Sequence, residues 1–327
     1  MLLILSKIGV GVTLLVVVLG AYTRLVDAGL GCPDWPGCYG FLSVPESLEE
    51  LALATSRFPD SPVEPDKAWW EMVHRYFATG LGALVLVIAV MASRGRARTA
   101  DFRRGPLKLP LGLLALVILQ GAFGAWTVTL KLWPQVVTAH LLGGFATLSL
   151  LWLLCLRLGM GAQWSVPGSL RGLAAVALGI VILQIALGGW VTSNYAALAC
   201  PDFPTCHGEW VPVMDAARGF DLTQSVGPNY LGGRLESEAR VAIQVAHRLG
   251  ALLVLLAVGL LSIRLFQAAS MLAWPVLGLL GAQLVLGILN VIWVLPLGNA
   301  TAHNAVGALL LLSLVTVNYR AGLGSGP

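Results

Sequence analysis

Charge is what this sequence has least of. Asp, Glu, Lys and Arg together make up 11% of the 327 residues against 57% hydrophobic ones, and the mean hydropathy is +0.82. So few polar groups could not cover the surface of a soluble domain of this length, which excludes an aqueous globular fold and makes a lipid bilayer the expected solvent. Cysteine and histidine are scarce too, five of each. That scarcity makes the position of every one informative.

What is present is long apolar runs. A membrane-spanning helix needs about 20 mostly apolar residues. Eight stretches qualify, at roughly 3–23, 72–92, 109–130, 136–156, 170–192, 241–265, 272–294 and 300–319. The first reads as a helix and not as a cleaved leader, because its apolar run exceeds an h-region and no small-residue cleavage site follows.

Orientation follows from the basic residues of the short loops. Arg94, Arg96, Arg98, Arg103, Arg104 and Lys108 crowd one loop, and Lys7, Arg157, Arg171, Arg264 and Arg320 fall on the same side. That side is expected to be cytoplasmic, with both termini, in an inner (plasma) membrane. Of the 16 acidic residues all but Asp101 lie in or beside two long loops on the other side. The net charge of +4 is thus explained by topology, and no nucleic-acid partner is implied.

The chain repeats itself. Residues 19–38 read LGAYTRLVDAGLGCPDWPGC and residues 187–206 read LGGWVTSNYAALACPDFPTC, without a gap. Downstream, Glu71-Met-Val-His74-Arg75 answers Gln244-Val-Ala-His247-Arg248, and Thr138-Ala-His140 answers Thr301-Ala-His303. Each half is then four helices with one long outer loop. Because four is even, the halves share one orientation about an axis along the membrane normal. The expected fold is an all-α integral membrane protein of eight transmembrane helices in two tandem, same-orientation four-helix bundles, 1–160 and 161–327.

Four of the five histidines fall in the even-numbered spans, two per half, shortly after the helix start. A lone histidine in such a helix is more often a hydrogen-bonded packing residue. Four in register at similar depth point to ligation, His74 facing His140 and His247 facing His303. Imidazole suits iron, copper or zinc, but two opposed imidazoles without an intramembrane thiolate fit a haem better than a tetrahedral metal. Arg75 and Arg248 follow these ligands directly, placed either to pair with haem propionates or to snorkel at the interface. His207 reads as a surface residue.

Glu71 lies three residues before His74, on the same helix face. Its counterpart is Gln244, of nearly the same shape without the charge. A carboxylate beside a haem edge can accept or relay a proton, and an amide cannot. The competing reading has Glu71 merely favouring the first turn of a helix through the macrodipole. On the asymmetry, the first half is expected to do chemistry and the second to carry electrons.

Cys32 and Cys38 bracket one outer segment, Cys200 and Cys206 the other. On an oxidising side the pairs Cys32–Cys38 and Cys200–Cys206 are expected to be structural disulfides, with redox activity and metal binding as alternatives. No Cys-x-x-Cys-His occurs, so covalent c-type haem attachment is not supported. Cys155, in the inner part of the fourth span, reads as a small buried apolar residue.

Taken together, Glu71-x-x-His74-Arg75, His140, His247-Arg248, His303, the paired cysteines and the eight-span tandem repeat resemble the haem A synthase family, over essentially the whole chain. The resemblance implies oxidation of a methyl substituent of haem O to the formyl group of haem A, through an alcohol and a hydrated aldehyde. It implies that His74 and His140 bind substrate haem O, that His247 and His303 hold a haem b that passes electrons, that Glu71 is catalytic, and that the Cys32 to Cys38 loop lies over the substrate site. Haem O synthase and cytochrome oxidase assembly factors are the partners it suggests. Two rivals stand beside it: a two-haem electron-transfer cytochrome b-type subunit that leaves its haems unaltered, and a haem carrier. Gly20, Gly121, Gly124, Gly188 and Gly189 permit close helix contact, within the chain or in a homo-oligomer.

Overall fold

A computed structural model describes residues 1–98 and 108–324. Asp101, Arg103 and Arg104 of the basic loop lie outside the described residues, as do the side chains of Arg96 and Arg98. The described chain contains ten α-helices: α1 (Leu2–Leu25), α2 (Leu48–Arg57), α3 (Pro65–Arg98), α4 (Lys108–Thr129), α5 (Pro134–Arg157), α6 (Arg171–Ser193), α7 (Ala216–Gly219), α8 (Ser237–Gln267), α9 (Ala273–Ile292) and α10 (Leu297–Leu323). Eight of them, all but α2 and α7, are long and apolar enough to cross a membrane.

These eight are apolar on nearly every face, as helices bathed in lipid must be. Ile118, Leu183, Leu256 and Ile263 point away from the protein. Hydroxyls within the spans satisfy themselves on their own helix: Thr13 donates to the Gly9 carbonyl, Thr147 to Gly143, and Thr316 to Leu312. The short α2 begins at a capping box, in which the Ser47 hydroxyl accepts from the Glu50 N–H and the Glu50 carboxylate accepts from the Ser47 N–H.

Packing follows the repeat. Helices α1, α3, α4 and α5 form a closed ring, each against the next, and α6, α8, α9 and α10 form another. The rings meet where α1 touches α10, α5 touches α6, and α5 touches α10. Backbone irregularities recur in step: Asp27 and Tyr195, Tyr39 and His207, and Lys131-Leu132 and Val294-Leu295 all adopt left-handed conformations. His207 therefore occupies the place of Tyr39.

At one end of the molecule a polar seam joins the rings. Arg24 donates to the Thr192 carbonyl at 2.9 Å and lies over the Tyr195 ring, 4.0 Å from its centroid. The Tyr195 hydroxyl donates to Asp27 at 2.8 Å. In the same region Thr138 and Ser193 hydroxyls lie 3.0 Å apart, and the Trp133 indole donates to the Gln224 carbonyl at 2.9 Å.

Candidate functional site

Helices α3 and α8 begin well before their apolar runs, at Pro65 and Ser237, continuing outward on polar residues. Glu71 therefore lies beyond the first turn of α3, where the acidic residue is Asp66. This removes the macrodipole account of Glu71, since that field fades within the first turn.

Each of the four helical histidines lies against a glycine of a neighbouring helix. A methyl group built at Gly20 would stand 2.9 Å from His74 Cε1, at Gly124 3.7 Å from His140 Cε1, at Gly188 3.3 Å from His247 Cε1, and at Gly287 3.1 Å from His303 Cε1. The glycines thus open the surfaces of α1, α4, α6 and α9 so that an imidazole can lie against bare backbone. His74 lies near His140, and His247 near His303.

Glu71 is 5% exposed. Its carboxylate accepts the Cys32 N–H at 2.9 Å and pairs with the Arg75 guanidinium one turn on. The loop reaches it because residue 31 is glycine: a Cβ there would lie 2.7 Å from the Ala68 nitrogen. In the second half Ala199 replaces Gly31, and Gln244, also 5% exposed, has an Oε1 with no hydrogen-bond partner. The two places match in burial and differ in charge and in loop contact.

Both cysteine pairs are disulfides, Cys32–Cys38 and Cys200–Cys206. Cys155 is free and buried. The arginines are engaged by these loops. Arg75 donates to the Asp34, Pro36 and Gly37 carbonyls, and Arg248 to those of Cys200, Asp202 and Thr205. Each guanidinium ties a disulfide loop to the helix that carries a histidine.

Within each loop an aspartate organises the turn. Asp34 accepts from the Tyr39 and Gly40 N–H groups, and Asp202 from those of His207 and Gly208. The Thr205 hydroxyl, followed by these N–H groups, holds the Asp202 carboxyl down to about 2. Tyr39 is buried, donates to the Pro62 carbonyl at 2.9 Å, and has its phenol pushed up to about 12, first by burial and then by the negative charge of Glu64, Glu71 and Asp34. The His207 Nε2 lies 3.0 Å from the Ala199 carbonyl oxygen, an arrangement internal to the loop.

Glutamines complete the surroundings, and sequence reasoning passed over them. Gln184 Nε2 lies 3.1 Å from His247 Nδ1 and donates to the His247 carbonyl at 2.9 Å. Gln283 Nε2 lies 3.1 Å from His303 Nε2. Gln120 packs where a side chain at Gly143 would otherwise stand, one turn beyond His140. The available signal was a Gln four residues before each histidine-facing glycine on three of the four helices.

The donor set suits a haem. Nδ1 of His74, His140 and His303 is buried without a hydrogen-bond partner, an arrangement that calls for a ligand. Among the described residues no group of three or more His, Cys, Asp or Glu side chains gathers to hold a metal ion. Paired imidazoles in apolar surroundings fit an iron that brings its own four equatorial nitrogens.

The family described as cytochrome oxidase assembly protein, COX15-CtaA, matches residues 4–315. A Shewanella oneidensis protein named Heme A synthase is 50% identical over 313 residues, spanning 94% of this chain and 92% of its own. Proteins of the same name from Chelativorans sp. and Azorhizobium caulinodans are each 30% identical, over 341 and 321 residues, covering 97% and 91% of this chain and 90% and 88% of theirs.

Proposed function

The chain belongs to the COX15-CtaA family of cytochrome oxidase assembly proteins, and from that premise we propose how its residues perform haem A synthesis. The activity is that of an oxidoreductase that converts a methyl substituent of haem O into the formyl group of haem A. The N-terminal unit, 1–160, takes haem O through His74 and His140. The C-terminal unit, 161–327, holds a haem b through His247 and His303. When bound, that group supplies one-electron transfer.

Two oxidations are needed, methyl to alcohol and alcohol to hydrated aldehyde; with water as the source of oxygen each takes up one water and releases two protons and two electrons, the electrons going to an external acceptor, and the hydrate then loses water to give the formyl group. Glu71 accepts a proton, or orients water, at the edge of the substrate ring. Arg75 and the Cys32 N–H fix the direction of that carboxylate, and the Cys32–Cys38 loop closes over it. The observation that carries this reading is the pair Glu71 and Gln244, alike in burial and unlike in charge, at corresponding places of the two halves.

The N- and C-termini are cytoplasmic, the disulfide loops lie on the outer side, and the membrane is the inner (plasma) membrane. Supply of haem O by a haem O synthase, and hand-over to oxidase assembly factors, complete the setting.

Extraction of pigments from the purified protein tests the reading. Haem O or haem A beside haem b is expected. Two equivalents of b-type haem and nothing else would favour the electron-transfer alternative. The glycines supply a second test. Gly188→Leu is expected to push the His247 ring aside and remove most of the C-terminal haem absorbance, overpacking of this kind costing about 1–3 kcal/mol. Gly121→Leu, where a side chain meets open space, should leave the spectrum as it was.

A further inference from the structure

Each half carries a cation two turns before the first of its helical histidines, Lys67 ahead of His74 and Arg240 ahead of His247. Seven residues return a side chain to the same helix face, about 10 Å along the axis. The two cations are held differently. Lys67 pairs with Glu64 at 2.7 Å. The offset that carries His74 onto His247 carries Glu64 onto Ser237, so Arg240 has no acid three residues before it. Glu238, two residues before it, lies on another face. Glu236 and Asp215 hold Arg218, Arg234 donates to the Asn229 carbonyl, and Arg248 is taken up by the carbonyls of its disulfide loop. Among the described residues the Arg240 guanidinium makes no hydrogen bond or ion pair, and its Nε is buried. One turn on, Gln244 Oε1 is buried and unpartnered as well. Two of the three polar side chains on the stripe Arg240, Gln244 and His247 thus have groups that the protein leaves unsatisfied.

A buried guanidinium N–H without an acceptor is costly, and the planar fork of five donors matches a carboxylate better than any other acceptor. A haem carries two such carboxylates on one edge, its propionates, at a distance from the iron comparable to the separation of Arg240 from His247 along α8. We propose that Arg240 is the propionate-binding residue of the C-terminal site, pairing with a haem carboxylate while His247 holds the iron two turns further in. This rests on the ligand assignment above and deepens it. The role belongs to Arg240 and not to Arg248, whose guanidinium is spent on the loop. In the N-terminal half the corresponding cation is already neutralised by Glu64, so the two sites differ in how they receive the acidic edge of a haem.

Haem loss provides the test. The full-length protein, purified with its haems, is mixed with excess apomyoglobin as an acceptor, and the b-type haem it retains is followed with time. Arg240→Gln is expected to speed that loss about 10- to 100-fold, the usual worth of a hydrogen bond to a charged group. It should also lower the midpoint potential of the b-type haem, because an unpaired propionate charge favours ferric iron. A merely structural role for Arg240 would not move the potential in that direction. Ser237→Glu, which supplies the competing acid that Lys67 has in Glu64, should likewise speed the loss, and it serves if Arg240→Gln does not fold. Lys67→Gln should leave the b-type haem as it is in the parent. Loss and potential unchanged in Arg240→Gln would overturn the proposal, as would faster loss at an unchanged potential or an equal acceleration in Lys67→Gln. Failure of the underlying ligand assignment would look different: b-type haem would survive His247→Ala with His303→Ala.

Discussion

Glu71→Gln is expected to yield a protein that keeps its Soret absorbance and accumulates haem O, with haem A formation reduced by about 10²- to 10⁴-fold, the usual contribution of a positioned proton-transfer group. The second half of the chain is the built-in control for folding. There Gln244 occupies the corresponding place, is equally buried, and leaves Arg248 bonded to its loop carbonyls. In the variant the Cys32 N–H can still donate to an amide oxygen, and Arg75 keeps Asp34, Pro36 and Gly37. Glu71→Ala is a different experiment. It leaves the largely buried Arg75 guanidinium with its loop carbonyls but without its counter-charge, and leaves the Cys32 N–H unpaired, at a cost of about 1–3 kcal/mol, and lower protein yield should follow. Quantifying the extracted haems decides the matter. An undiminished yield of haem A from Glu71→Gln would remove the carboxylate from the chemistry.

Alanine at His74, His140, His247 and His303 together should abolish the Soret band of the purified protein. Replaced in pairs, the histidines should separate the two cofactors: His247→Ala with His303→Ala removes the b-type haem, and His74→Ala with His140→Ala removes haem O. Each pair is expected to take about one of two haem equivalents: among the described residues no group of three or more His, Cys, Asp or Glu side chains gathers to supply a further metal ligand. A quadruple variant with full haem absorbance would end the bis-histidine account.

Much of this was legible in the residues because a bilayer enforces simple rules. Backbone groups in hydrocarbon must bond within a helix, so apolar runs announce the spans, and all eight lie within several residues of their expected positions. The starts of α3 and α8 were missed for the same reason. Beyond the hydrocarbon a helix may continue on Asp66 and Lys67, or on Glu238 and Arg240, and hydropathy does not register it. That small extension moved Glu71 out of the first turn and changed its meaning.

The site was legible where it repeats, as in the four histidines, and harder to read where it depends on three-dimensional neighbours. The carbonyl contacts of Arg75 and Arg248 depend on how a disulfide loop folds back, which their position after a histidine does not disclose. Gln120, Gln184 and Gln283 looked like isolated polar residues until the glycine four positions along each helix was seen against a ring on the next.

At the seam, Arg24 meets Thr192 and Asp27 meets Tyr195, which are the corresponding positions of the two repeats. Between separate chains such a contact would be isologous, a patch recognising its own copy and thereby closing a dimer. Here the copy is covalently attached, so that self-complementary patch is saturated from within. Mutating the seam should therefore disturb the union of the halves.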